Sequence, residues 1–267
     1  MTADIPLSLY IHLPWCIKKC PYCDFNAHPL KENTPKHDYI THLIDDLHSH
    51  RDILTKRPLK SVFIGGGTPS VFNAQELEPL FDALCQYLTP DTEMTMEVNP
   101  GVVDHASFPG YLALGINRLS IGGQSFNQDS LSHLGRAHSA NQTHQAIRIA
   151  KEVGFKRINL DLMYGTPHQT LEHVLYDLEQ FLAYDLEHLS WYQLNIEANT
   201  LFAVNKPLLP SVSSIETMET IGQGMLKNND YQAYEISAWT KGKPSFHNLN
   251  YWTFGDYLGI GLSLIHI

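Results

Sequence analysis

Two rhythms of apolar and polar residues alternate along this chain. The short rhythm consists of runs dense in β-branched and aromatic residues, each closed by glycine, proline, asparagine or a polar cluster, and it predicts strands. Six such runs occur: LSLYIHL (7–13), SVFIGGG (61–67), EMTMEVNP (93–100), NRLSIGGQSF (117–126), RINLDLMYG (157–165) and HLSWYQLNIE (188–197). The longer rhythm spaces apolar residues three and four apart and predicts helices buried along one face. It runs through YITHLIDDLHSHRDIL, AQELEPLFDALCQYL, ANQTHQAIRIAKEVG and LEHVLYDLEQFLAY. Gly154 stands where the third of these helices would stop.

Strand–helix alternation of this kind predicts a parallel sheet with helices outside. Right-handed crossovers wind such a chain into an open sheet or a barrel, and periodicity does not choose between them. The placement of polar residues does more. A cysteine-bearing loop follows the first strand, and Gly65-Gly66-Gly67-Thr68-Pro69 follows the second. Glu97 and Asn99 lie on the third, Gln124 and Ser125 on the fourth, Asp161 on the fifth, and Gln193, Asn195 and Glu197 near the end of the sixth. In parallel barrels the working groups sit at the carboxyl ends of strands, so the expectation is one shared site on that rim. Beyond residue 200 come a helix near 213–228, a strand-like YQAYEISAW (231–239), then KGKPSFHNLNYW and YLGIG. Residues 1–200 read as the barrel core and 201–267 as its extension.

Composition narrows the setting. The chain has 267 residues, 43% hydrophobic and 17% charged, enough for one large core. A formal charge of −10 argues against nonspecific nucleic-acid binding. No apolar run approaches the roughly 18 residues of a membrane span. The opening MTADIPLSLYIHLPW has neither the basic start nor the apolar core of a signal peptide. The expectation is a cytoplasmic protein, where thiols stay reduced and a tight cysteine cluster means metal rather than disulfides. Most histidines, among them His37, His42, His48 and His50, fall in polar helical surroundings and are expected at the surface.

Three of the four cysteines fall within WCIKKCPYCDF, as Cys16, Cys20 and Cys23. A structural zinc site has four Cys or His ligands, in paired short spacings. The second pair is missing, although His12 or His28, flanking the loop, could complete a site of three cysteines and one histidine. Cys85 lies on the apolar face of a predicted helix and reads as a small core residue. An iron–sulfur cluster accounts for the count better. Its irons are held by thiolates, commonly four, and three leave one iron open to a small molecule. The other rim residues have two readings each. The glycine run lets backbone approach a ligand, or simply turns the chain. Thr68 bonds a ligand, or caps the next helix. Glu97 and Asp161 accept from an ammonium or ribose hydroxyls, or pair within the barrel mouth. Arg136, in LGRAH, neutralises a carboxylate, or sits solvated at a helix end.

C-x3-C-x2-C leaving a strand at the front of an alternating β/α chain resembles the radical S-adenosylmethionine superfamily. The resemblance is also narrower. LYIHLPWC, CPYCDFN, FIGGGTPS, MEVNPG, SIGGQSFN, LGRAH, NLDLMYGTP, SWYQLNIE and HNLNYW occur in this order and cover nearly all of residues 7–261. Together they are similar to the oxygen-independent coproporphyrinogen oxidase family, and within it to the HemW-type haem chaperone branch. The resemblance implies a partial (β/α)6 TIM-like barrel of the radical SAM type. Cys16, Cys20 and Cys23 would hold a [4Fe-4S] cluster, whose open iron binds S-adenosylmethionine. Tyr10 and Tyr22 would pack beside that cofactor, and Gly66, Gly67, Thr68 and Glu97 would contact it. Gln124, Arg136 and Asp161 match a pocket that holds a second S-adenosylmethionine in the oxidase branch. His247, in the H-N-x-x-Y-W stretch ending in Tyr251 and Trp252, matches a segment associated with haem binding; imidazole is a natural axial ligand and aromatic rings suit a flat macrocycle.

Several departures and partners follow from the same resemblance. The oxidase proper carries a further cysteine where this chain has Phe25, which argues against coproporphyrinogen decarboxylation. Gly123 replaces a larger aliphatic residue beside Gln124 and is expected to enlarge that pocket or loosen its strand. The chain stops at GIGLSLIHI where family members continue into a helical C-terminal domain, so the reading expects a truncation with an unrelated tail. The implied function is haem binding and delivery to haem-dependent respiratory proteins. The implied partners are haem as cargo, a flavodoxin- or ferredoxin-type electron donor and a second copy in a homodimer, with a cytoplasmic location that includes the inner-membrane surface. The rival functions are anaerobic porphyrinogen oxidation and a zinc-stabilised binding module.

Overall fold

The computed structural model describes residues 5–262. Nine strands form one sheet: β1 (Leu7–Leu13), β2 (Leu59–Gly66), β3 (Glu93–Val98), β4 (Arg118–Gln124), β5 (Arg157–Tyr164), β6 (His188–Gln193), β7 (Gln232–Ala233), β8 (Ala238–Thr240) and β9 (Asp256–Ile260). Their order across the sheet is β9-β1-β2-β3-β4-β5-β6-β8-β7. The six expected strands lie side by side in chain order, all parallel. β9 adds parallel to the outer side of β1, and β8 and β7 add antiparallel beyond β6. The two ends of this order do not pair with each other among the described residues, so the sheet is a partial barrel. The expected partial (β/α)6 core is present, with strands from beyond residue 200 on both edges.

The crossovers carry the expected helices, and their ends follow local chemistry. Ser139 and Gln142 form a capping box at the start of α6 (Ala140–Val153), and Gly154 closes it at φ 106°. Thr170 with His173 opens α7 (Leu171–Ala183) the same way. Asn73 with Glu76 opens α3 (Ala74–Leu84). Two expectations fail. YQAYEISAW is not one strand, because Glu235 accepts from the Ser237 N–H and hydroxyl and folds the segment into the turn between β7 and β8. Cys85 is not a core residue. The α-helix ends at Leu84 and a tighter turn follows, so Tyr87 swings inward and the Cys85 thiol faces solvent.

Strand side chains alternate between two faces. Leu9, Ile11, Val62, Ile64, Met96, Leu119, Ile121, Leu160, Leu162 and Leu189 are fully covered and belong to one core with the helices. Burying each such side chain contributes roughly 1.5–3 kcal/mol. The alternate positions point inside the barrel and are mostly polar. Register stacks Thr95, Arg118 and Arg157 in one row, Glu97, Ser120, Asn159 and His188 in the next, and Asp161 beside Ser190 above them.

The far edge is tied to the front of the molecule. Gly261 N–H donates to Asp46, and Leu262 N–H to the Tyr39 hydroxyl, which donates to the His12 carbonyl. The Asn26 amide in the cysteine loop donates to the Leu262 carbonyl at 3.3 Å. Of the expected unrelated tail, residues 263–267 lie outside the described residues.

Candidate functional site at the barrel mouth

The inner face and the loop after β1 enclose one cavity of about 610 Å³. The loop is pinned at its base, where Trp15–Cys16 pairs with His28–Pro29. Its tip turns on a Cys23 N–H to Cys20 carbonyl bond of 3.1 Å. All three loop cysteines line the cavity, Cys16 buried and the other two half-buried. Burial pushes the Cys16 thiol up to about 11, helped by Cys23 and Cys20, and raises Cys23 as well. Thiols held so far toward the neutral form need a strong positive centre to become thiolates. Arg136 supplies a nearby charge: it donates to the Gly122 carbonyl at 2.9 Å and toward the Cys20 sulfur at 3.5 Å. It is not a solvated helix-end residue.

The donor set fits a multi-iron cluster better than one ion. Among the described residues no three His, Cys, Asp or Glu side chains are gathered closely enough to hold a single metal. Neither flanking histidine reaches the cavity. His12 is buried against the Asn26 carbonyl and the Tyr10 hydroxyl, and His28 meets the Asn26 side chain. The zinc alternative therefore loses its fourth ligand. Phe25, 57% exposed, lines the cavity with a ring in place of a further thiol.

Behind the thiols sit two carboxyls. Glu97 accepts from the Gly66 N–H at 3.2 Å and is pushed up to about 8, by burial first and then by Asp161. Asp161 accepts from the Asn159 amide at 2.7 Å and from Ser120 at 3.4 Å, and burial raises it too. Thr68 is buried, lines the cavity and makes no side-chain capping bond, so its hydroxyl is not spent on the helix. Gly67 also lines the cavity, but a Cβ there would lie 2.6 Å from the Trp15 carbonyl oxygen. Gly66 does not line it; at φ 115° its missing Cβ makes room for the His12 ring. The glycine run is thus required by the packing of the cysteine loop, whatever ligand it meets.

Tyr10 and Tyr22 line the cavity, Tyr10 stacked on Phe63 at 6.2 Å. Gln124 is held at φ 65° by a bulge in β4, and its side-chain oxygen accepts from the Tyr192 hydroxyl at 2.8 Å. Ser125, expected on the rim, turns away. Its hydroxyl and the Phe126 N–H donate to Asp177, a buried carboxyl of α7 pushed up to about 7 by burial. Gly123 also faces away, toward Leu160 and Thr143, so it does not widen the Gln124 pocket. Gln193, Asn195 and Glu197 line the mouth. His247 lines the opposite end, 4% exposed, on α10 (Phe246–Trp252). Both its ring nitrogens are engaged, one with the Ser61 hydroxyl and the other with the Tyr251 hydroxyl, each at 2.9 Å. Burial lowers it to about 4, so the ring is neutral.

Sequence reading missed most of the cavity's inner half: Arg118, Ser120, Asn159, His188, Ser190 and Tyr234 all line it. The signal was present as alternation in RLSI, RINLDL and HLSW, with polar residues at every second place.

A thiol-bearing loop over the mouth of an open parallel barrel defines the class. A sequence profile of the Radical SAM superfamily matches residues 10–181, and the chain belongs to that superfamily. Within it the chain belongs to the HemW family. It is 48% identical to the heme chaperone HemW of Haemophilus influenzae, over 96% of this chain and 69% of that protein. It is 47% identical to the heme chaperone HemW of Escherichia coli, over 96% and 68%. The solved structure of the radical SAM enzyme coproporphyrinogen III oxidase HemN from Escherichia coli superposes with a TM-score of 0.86 at 25% identity. That match covers 97% of this chain and 64% of the oxidase. Among the described residues no helix is long and apolar enough to cross a membrane.

Proposed function

We propose that this chain is a haem chaperone built on a radical S-adenosylmethionine core, delivering haem to haem-dependent respiratory proteins. The observation that carries the core is the convergence of Cys16, Cys20 and Cys23 on one cavity with Glu97, Thr68 and Gln124. The observation that carries the cargo is likeness to relatives named heme chaperones over most of their length. A [4Fe-4S] cluster on the three thiolates would supply one-electron reduction of S-adenosylmethionine. The chain's own groups do the binding. Thr68 offers a free hydroxyl, Arg136 offsets thiolate charge, and Tyr10 and Tyr22 give flat apolar surfaces. Glu97, largely protonated at neutral pH, gives up its proton to face an ammonium. A flavodoxin- or ferredoxin-type protein would supply the electron, and a homodimer is the proposed assembly.

Haem ligation by His247 requires its bond to Tyr251 to open, which frees one ring nitrogen beside the half-exposed rings of Tyr251 and Trp252. Anaerobic reconstitution tests the core: Cys20→Ser loses the broad iron–sulfur absorbance, and full retention of iron and sulfide would remove the cluster. Titration with haem tests the cargo. His247→Ala should weaken binding tenfold or more, and unchanged affinity would take His247 out of the site.

A further inference from the structure

The inner end of the cavity holds a cation without enough acceptors. Arg118 is 2% exposed and lines the cavity. A guanidinium carries five N–H donors. Here one nitrogen donates to the Thr95 hydroxyl at a long 3.4 Å, and Nε has no partner. No carboxylate oxygen lies within 4 Å of it among the described residues, since Arg118 appears in no ion pair there. The nearby acids are committed elsewhere. Glu93 receives Arg157, the Ser245 hydroxyl and the N–H groups of Phe246 and His247. Asp161 receives Asn159 and Ser120. The adjacent histidines are neutral: burial lowers both His188 and His247, and His188 spends its nitrogens on Asn159 and Tyr234.

A buried guanidinium left this poorly paired is costly, whereas a carboxylate satisfies it bidentately. We propose that Arg118 anchors a carboxylate subsite at the inner end of the cavity. Arg118 begins β4 and Gln124 ends it, so their backbones lie roughly 20 Å apart at about 3.3 Å per residue. An amino-acid carboxylate held near the thiol loop does not span that distance. The subsite therefore takes the acid arm of another ligand, one that reaches the inner end lined by Tyr234, Ser245 and His247. The chemistry is that of a short aliphatic carboxylate, either free or as the propionate arm of a tetrapyrrole.

The test uses the whole chain, titrated calorimetrically with sodium propionate, with neutral methyl propionate and with sodium chloride at matched ionic strength. Saturable binding of propionate is expected, absent for the ester, and weakened at least tenfold in Arg118→Gln with partial recovery in Arg118→Lys. Equal binding to Arg118→Gln, or equal binding of the ester, overturns the proposal. A crystal structure of the unaltered chain grown in propionate keeps the test decisive if Arg118→Gln fails to melt cooperatively: only water at the guanidinium overturns it. Haem and its dimethyl ester then identify the source. A preference for free haem that Arg118→Gln abolishes assigns the arm to a propionate; a preference that survives assigns the subsite to a smaller acid. Because propionate binding is read without haem, failure of the chaperone reading and failure of this subsite are distinguishable.

Discussion

The outward and inward faces of the same six strands contrast sharply. Outward, Leu119, Ile121, Leu160 and Leu162 are sealed under helices. Inward, one residue away along the same backbone, Ser120, Asn159 and Asp161 form a hydrogen-bonded lattice around the cavity, and Arg118 faces the same space. Parallel barrels commonly fill their interior with branched apolar side chains. This one leaves that space polar and open, so the helix-facing layer supplies most of the stability. The period of two allows each strand to serve both purposes without conflict.

Substitutions on each face sharpen this contrast. Leu160→Ala removes a fully covered side chain between β5 and the helices and should cost about 2–5 kcal/mol in urea unfolding. Asp177→Ala strands the Ser125 hydroxyl and the Phe126 N–H and should cost about 2–3 kcal/mol. Its S-adenosylmethionine affinity should fall as well, because the loop after Gln124 loses its anchor.

Glu97→Gln should behave oppositely. The folded carboxyl titrates at about 8 against an ordinary 4.5, so the folded chain keeps a proton that the unfolded chain loses between those values. Stability therefore falls as pH rises through that window. The cluster-free variant should be more stable than the parent at pH 9 and show no such gain at pH 4. Ser120→Ala should change stability by about 1 kcal/mol or less, since it touches only Asn159 and Asp161. A Ser120→Ala penalty as large as that of Leu160→Ala would erase the distinction between the faces.

The strands, the crossover helices and the thiol loop were legible because each is written in local pattern. The site residues Gln124 and Glu97 were legible because they stand at or next to a strand's end, and Asp161 because it is a lone acid within an apolar run. The inner half of the cavity was not: alternation tells that Arg118 and Leu119 face opposite ways, but not which face encloses a cavity. That choice depends on how the sheet curves and on β8 and α10 returning beneath it. Cys85 was misread because apolar spacing continues through Gln86-Tyr87-Leu88 while the backbone has already left the α-helix. The engagement of His247 with Ser61 was hidden by their separation along the chain.

The link from Leu262 through Asn26 and Tyr39 to the thiol loop has a mechanical corollary. A free-energy coupling acts equally in both directions. Filling the loop with iron and sulfide should stiffen the last strand and slow protease nicking around residues 256–262. Loosening that strand, in turn, should hasten loss of iron from the loop that follows β1.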